Sequence, residues 1–458
     1  MIAVMIVMFV VGYFCIAMEH PFKVNKAASA LLLCALLWTV YIFAAPELLA
    51  CVDAFKQFQV ENSSLNFHEQ VIKFVTSVQI IEHLGDTSQI LFFLLGAMTI
   101  VELVDMHGGF SIITDRITTK NKRALLWILS FVTFFLSALL DNMTTAIVMV
   151  MLLRKLIKDQ ADRWLFASMI IIAANSGGAW SPIGDVTTIM LWVGGQVSTT
   201  AIIPSIILPS LVSVVVPLLV VTFSLKGEVE PNSAIQKDSN HFNLAEKINN
   251  RERLSIFCLG VGALIFVPIF KSITHLPPFL GILLGLGVLW VYTELLYHKK
   301  KDINEKDKGR ISNVLSRIDM STLLFFLGIL MAVGVLQCAG ILTDFADILD
   351  KEIGNIYIIN LIIGILSSIV DNVPLVAAAM GMYPLDVYPQ DSIFWTMLAY
   401  CAGVGGSILI IGSAAGVVVM GIEKINFIWY LKKISWLALL GYLCGVGAFY
   451  LQTLLLGA

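Results

Sequence analysis

Three aspartates stand inside apolar runs of this chain: Asp141 in SALLDNM (137–143), Asp185 at the end of NSGGAWSPIGD (175–185) and Asp371 in SSIVDNV (367–373). Around them lie side chains that offer oxygen. Ser137, Asn142, Thr144, Thr145, Asn175, Ser176, Thr187 and Thr188 accompany the first two; Ser367, Ser368, Asn372, Ser407 and Ser413 accompany the third. Carboxylate, amide, hydroxyl and carbonyl oxygens are the ligands a small hard cation takes. A carboxylate left unpaired in a bilayer costs at least about 2.5–3.5 kcal/mol on insertion scales, and no Lys or Arg is expected at the same depth. Each aspartate must therefore hold a cation or a proton. Burial favours the protonated form and a bound cation the ionised one, so a single carboxylate can alternate between them. Asp185 and Asp141 are the leading shared ligands for such an ion. The same aspartates also suit the N-caps of short helices, and the two roles are compatible.

The elements that must position these groups occur twice. The two Asp-Asn pairs are 230 positions apart, and a second matched pair, NSGGAWSPIGD and GVGGSILIIGS (403–413), is offset by 228. Duplicated, interrupted hydrophobic segments that carry polar groups point to a secondary transporter with its site where the repeats meet. Composition agrees: 58% of residues are hydrophobic and 13% charged, with mean hydropathy +0.88. That excludes a soluble domain of this size and predicts an all-α polytopic membrane protein.

Windows long enough to cross about 30 Å of hydrocarbon fall at 2–18, 27–46, 88–106, 165–195, 201–225, 254–271, 278–297, 318–338, 392–422 and 434–455, which gives ten crossings. The first lacks a basic n-region and a cleavage site, so it reads as a retained span. Arg116, Lys120, Lys122 and Arg123 in 107–123, and Lys299, Lys300, Lys301, Lys306, Lys308, Arg310 and Arg317 in 298–317, mark those loops cytoplasmic. The acidic stretch 47–86 and the loop 383–391, which has no basic residue, face outward, and so do both termini. Residues 64–84 read as an amphipathic surface segment, and 226–253 as a polar cytoplasmic connection.

The two Asp-Asn segments do not fit as simple spans. Lys122 and Arg123 precede the first, and Arg154, Lys155, Lys158 and Arg163 follow it, so the chain enters and leaves on one side. A re-entrant hairpin at about 124–158 satisfies both flanks. Its return arm, Ala146–Leu153, is about 12 Å long as helix. A second hairpin at about 355–383 enters from outside. The repeats are thus 1–229 and 230–458, each with five crossings, one hairpin and one broken helix, at about 165–195 and 392–422. An odd number of crossings inverts the second copy. Leu91–Leu94 against Leu324–Leu327, and Thr114-Asp115 against Thr343-Asp344, are weaker echoes. Gly177-Gly178 with Ser181–Gly184, and Gly405-Gly406 with Gly412-Ser413, are expected to break the helices and expose backbone carbonyls and N–H groups.

Other candidates are weaker. Glu102, Asp105 and Glu294 lie near cytoplasmic span ends; Glu102, about a turn inside, suits a proton-relay or access role. His20, His68, His83, His107, His241, His275 and His298 fall in loops or at span ends and read as surface residues, with His107 near Asp105 placed to tune a pH response. Cys15, Cys34, Cys51, Cys258, Cys338, Cys401 and Cys444 have no CxxC spacing and read as packing residues. No Walker loop, HExxH or GxSxG occurs, so nothing argues for an enzyme or a cofactor. No basic tract suggests nucleic acid, and no soluble protein partner is indicated. The lipid bilayer is the partner that composition predicts.

SALLDNMTTAIVMVMLLRKL (137–156), RWLFASMIIIAANSGGAWSPIGDVTTIMLWVGG (163–195) and SSIVDNVP (367–374) closely resemble the NhaD-type Na⁺/H⁺ antiporters of the ion transporter superfamily, across essentially the whole chain. AWSPIGDVTT is the specific part; the hairpin Asp-Asn is shared with arsenite-pump relatives. The resemblance implies Na⁺ or Li⁺ efflux in exchange for protons in a bacterial inner membrane, by a homodimer whose scaffold helices hold a sliding transport domain. It carries functional roles to Asp141, Asn142, Thr144, Asn175, Asp185, Thr187, Thr188, Ser367 and Asn372, with Na⁺ expected at Asp141, Asn142, Asn175, Asp185 and Thr187. A Na⁺-coupled carboxylate symporter and an arsenite or metalloid carrier are the alternatives on this fold. Aspartates at the tips repel a carboxylate, and a neutral metalloid would not require three buried acids.

Overall fold

A bilayer offers no water to backbone N–H and C=O groups, so a chain this apolar satisfies them within helices. The computed structural model describes residues 1–110, 112, 117, 119–230, 248–299 and 314–456, and among them it is helical, with one isolated bridge between Asn121 and Glu228 and no strand. Thr114, Asp115, Arg116, His241, Lys300, Lys301, Lys306, Lys308 and Arg310 lie outside the described residues.

The main helices are α1 (Ile2–Ala17), α2 (Lys26–Leu48), α3 (Phe67–Met106), α4 (Lys122–Leu140), α5 (Asn142–Leu156), α6 (Gln160–Ala179), α7 (Val186–Val193), α8 (Thr199–Ser224), α9 (Asn250–Thr274) and α10 (Pro278–Lys299). They continue with α11 (Met320–Cys338), α12 (Ile341–Glu352), α13 (Ile356–Leu366), α14 (Asn372–Met382), α15 (Ile393–Gly405), α16 (Ala414–Glu423), α17 (Phe427–Lys433) and α18 (Ser435–Leu456). Among the described residues eight helices are long and apolar enough to cross a membrane, or nine if α16 and α17, bent by 116°, count as one span. The ten expected windows map differently. The first is a helix of 16 residues, the windows 165–195 and 392–422 are each split, and α4, expected as a hairpin arm, has 19 residues and is long enough by itself.

Three further expectations change. The segment 64–84 is not separate from the following span: α3 runs unbroken over 40 residues, with a π turn at Val75–Gln79. Glu82 and Asp86 lowered the apparent hydropathy there, yet they sit four apart on one exposed face and leave the helix intact. His83, expected at a surface, lies inside this helix with Nε2 3.2 Å from Cys338 Sγ. His107 is fully buried: Nδ1 donates to the Leu103 carbonyl at 2.6 Å and Nε2 pairs with the Tyr297 hydroxyl. Both ring nitrogens are satisfied internally.

The chain forms two compact units. One comprises Met1–Phe92, Asp319–Asn355 and Val373–Tyr388. In it α11 packs on α2, closely enough that a Cβ on Gly328 would lie 2.7 Å from the Ala30 carbonyl carbon, and Trp38 Nε1 donates to the Met331 carbonyl at 3.1 Å. The other comprises Phe93–Ile318, Ile356–Asn372 and Pro389–Ala458, with α4 on α6, α8 on α18, α9 on α10 and α13 on α15. Every helix break that carries the predicted site residues falls in this second unit.

Candidate cation site

Asp141 is the single non-helical residue between α4 and α5. Its backbone, at φ 129 and ψ 158, lies where L-residues are rarely found, a strain of about 1–3 kcal/mol that the side chain helps to offset. Oδ1 accepts from Thr144 N at 2.8 Å and Oδ2 from Thr144 Oγ1 at 2.7 Å. This cap starts α5 at Asn142, so the helix has 15 residues and reaches about 22 Å, longer than the Ala146–Leu153 arm expected. The second Asp-Asn break is wider: α13 ends at Leu366, and Ser367–Asp371 separate it from α14.

The glycine pair in the first broken helix does not break it. Gly177 and Gly178 remain in α6, and the interruption is Trp180–Gly184. What the glycine supplies is close approach, because a Cβ on Gly177 would lie 2.2 Å from the Phe134 carbonyl oxygen on α4. The other half repeats this: a Cβ on Gly405 would lie 2.1 Å from the Gly364 oxygen. Hydrogen bonds repeat as well. Ser137 Oγ donates to the Ala174 carbonyl at 2.6 Å, and Ser367 Oγ to the Ala402 carbonyl at 2.8 Å. Asp185 caps α7 with φ −145 and ψ 147, and Ser413 caps α16 with φ −139 and ψ 151. Each matched pair keeps the 228- or 230-residue offset of the sequence motifs.

These breaks bring one buried polar chain together. Asp185 Oδ1 accepts from Thr187 N at 3.1 Å, and Oδ2 accepts from Asn142 Nδ2 at 2.9 Å. Asn142 Nδ2 also donates to Asn175 Oδ1 at 3.1 Å. Asn175 Nδ2 then donates to Ser407 Oγ at 2.9 Å and Ser413 Oγ at 2.8 Å. Asp185 is 1% exposed, Asn175 0% and Asn142 6%, so water does not screen this network. Thr145 and Thr187 are fully buried; the Thr145 hydroxyl has no hydrogen-bond partner among the described residues, and the Thr187 hydroxyl lies beside the Asp185 carboxylate. A buried hydroxyl beside a carboxylate is a ligand a cation would take.

Not every predicted residue joins the chain. Thr188 Oγ1 donates to the Asp185 carbonyl at 2.9 Å, and Thr144 is engaged with Asp141. Asp141 and Asp371 are near enough to interact electrostatically with Asp185, while Asn372 is buried. Among the described residues no three His, Cys, Asp or Glu side chains converge as a metal cage; neutral amide and hydroxyl oxygens make up most of the donor set. Glu102 pairs with Arg317 at 3.6 Å. Sequence reading missed Glu423, which is buried at the end of α16 and faces Arg163 Nε at 3.0 Å and Arg154 Nε at 3.3 Å. It ties α16 to α5 and α6. A glutamate closing an apolar helix was the available signal.

Residues 4–403 match the family model described as citrate transporter, CitMHS. The chain is 46% identical over 445 residues to sodium/proton antiporter 1 of Arabidopsis thaliana, covering 97% of this chain and 71% of that one. Sodium/proton antiporter 2 of the same plant is 45% identical over 442 residues, with 96% and 97% covered. The Na⁺/H⁺ antiporter NhaD of Alkalimonas amylolytica is 30% identical over 470 residues, covering 97% and 89%.

Proposed function

The chain belongs to the CitMHS family of membrane transporters and to its NhaD-type antiporter relatives, and from that membership we propose that it exchanges Na⁺ or Li⁺ for protons. The observation that carries this reading is the buried chain Asp185–Asn142–Asn175 with the Thr187 hydroxyl beside its carboxylate. One carboxylate among neutral oxygens can take a small cation or a proton, and the two exclude each other. The cation loads from the cytoplasm and the proton from outside, with Asp141 and Asp185 as the shared ligands and Asp371 as a second or orienting charge.

The architecture in this proposal is two inverted repeats, each with a re-entrant hairpin and a broken helix. The recurrence of the Ser–carbonyl bonds and the Gly–carbonyl contacts at the same sequence offset supports it. A homodimer, an elevator-like sliding of the site, both termini outside and residence in a bacterial inner membrane, which the bacterial NhaD relatives support, complete the reading.

The description of the family model favours a second reading, coupled uptake of a carboxylate. Carboxylates at Asp141, Asp185 and Asp371 repel such a substrate, which places exchange first. Reconstituted protein decides between them. Addition of NaCl or LiCl, but not KCl, citrate or succinate, should dissipate an imposed pH gradient between pH 6.5 and 9. A silent Na⁺ trace together with Na⁺-dependent carboxylate uptake rejects exchange.

A further inference from the structure

The half-helix α7 has eight residues, Val186–Val193, and Asp185 is its N-cap. A helix so short moves as a piece, so whatever fixes its far end also fixes that carboxylate. The last carbonyls of α7 are not all bonded equally by the turn that follows. Met190 O accepts Gly194 N at 2.8 Å, and Leu191 O accepts Gln196 N at 2.9 Å and Val197 N at 3.2 Å. To the Trp192 carbonyl the turn offers Gly194 N, shared with the Met190 carbonyl, and Gly195 N at 3.4 Å. Its short bond comes from another helix: Lys271 Nζ on α9 donates to it at 2.7 Å. The same ammonium lies over the Trp192 ring, 4.6 Å from its centroid, and that ring is buried with its edge against Phe93.

One end of α7 thus carries a carboxylate and the other an ammonium, and both signs complement the helix dipole. We infer that Lys271 is a positioning residue for the cation site: it anchors α7 along its axis and so sets where the Asp185 carboxylate stands relative to Asn142 and Asn175. The helix is about 12 Å long, so Lys271 does not reach the ion and acts through the placement of its ligand. The inference rests on the exchange reading above.

The test compares Lys271→Met, Lys271→Gln and Lys271→Arg in the full-length protein, reconstituted and assayed for Na⁺-driven dissipation of a pH gradient. The methionine variant should raise the Na⁺ half-saturation about three- to tenfold and displace the pH profile, at an unchanged maximal rate per inserted protein. Arginine, which keeps the charge and the donor, should restore the wild-type values. If Lys271→Met does not accumulate, Lys271→Gln supplies the neutral comparison. A neutral variant with wild-type half-saturation and pH profile overturns the inference, and so does an arginine variant as impaired as the neutral one. A wild-type protein silent to Na⁺ would remove the exchange reading and this inference together; a responsive wild type with an unaffected neutral variant removes the inference alone.

Discussion

Asn175 uses both ends of its amide on other site residues, accepting from Asn142 and donating to Ser407 and Ser413. It is therefore the joint between the first-half and second-half groups. Asn175→Ala leaves a buried amide and two buried hydroxyls short of a partner, at about 1–3 kcal/mol for each group stranded. Its Na⁺ half-saturation should rise at least about tenfold, read from initial rates against Na⁺ concentration; a wild-type value would remove Asn175 from the site. Asp185 is the stricter case, because it supplies the charge. Asp185→Asn keeps size and cap geometry but cannot hold a proton and a cation in turn, so exchange should be abolished while the protein still inserts. Exchange at the wild-type rate in that variant would eliminate Asp185 as the shared ligand.

At the scale of elements, two different contacts hold the broken helices. Gly177 and Gly405 let one helix touch the backbone of its neighbour, and a methyl group there would stand 2.2 and 2.1 Å from a carbonyl oxygen. Backbone cannot yield as a flexible side chain does, so Gly177→Ala and Gly405→Ala should each destabilise by about 1–3 kcal/mol or more, measured by thermal unfolding in detergent. Equal losses are expected because the two contacts share one geometry. The clamp on Glu423 behaves differently at its two arms. Glu423 is 1% exposed and Arg163 17%, so Glu423→Ala removes the anion from a largely dry pair while Arg163 keeps its bonds to the Ile157 and Lys158 carbonyls, and should cost about 1–3 kcal/mol. Arg154 is 41% exposed, and solvent screening should keep Arg154→Ala below about 1 kcal/mol. Comparable losses at Glu423 and Arg154 would contradict this division.

At the scale of the whole molecule, the legible features were those written locally. Asp141 and Asp185 cap the helices that follow them, and capping residues followed by apolar runs announce a helix start in sequence. Features that depend on distant partners were hidden. The burial of His107 needs Tyr297, 190 positions away, and the clamp joins Glu423 to Arg163 across 260. Inverted orientation is written in neither way; it was expected from a count of ten crossings, where the described residues have eight or nine long apolar helices, so it demands a direct test. Lys158 and Tyr388 are equivalent by the 230-residue offset, and Lys158 and Asp386, two residues before Tyr388, are both exposed. With the seven native cysteines replaced, single cysteines at Lys158 and Asp386 can be offered a membrane-impermeant maleimide. Inversion, with the basic flank of the proposed first hairpin on the cytoplasmic side, predicts that Asp386→Cys reacts in intact cells and that Lys158→Cys reacts only in everted vesicles. Modification of both from the same side would mean that the two repeats are parallel, and a shared site fed alternately from opposite faces would lose its structural basis.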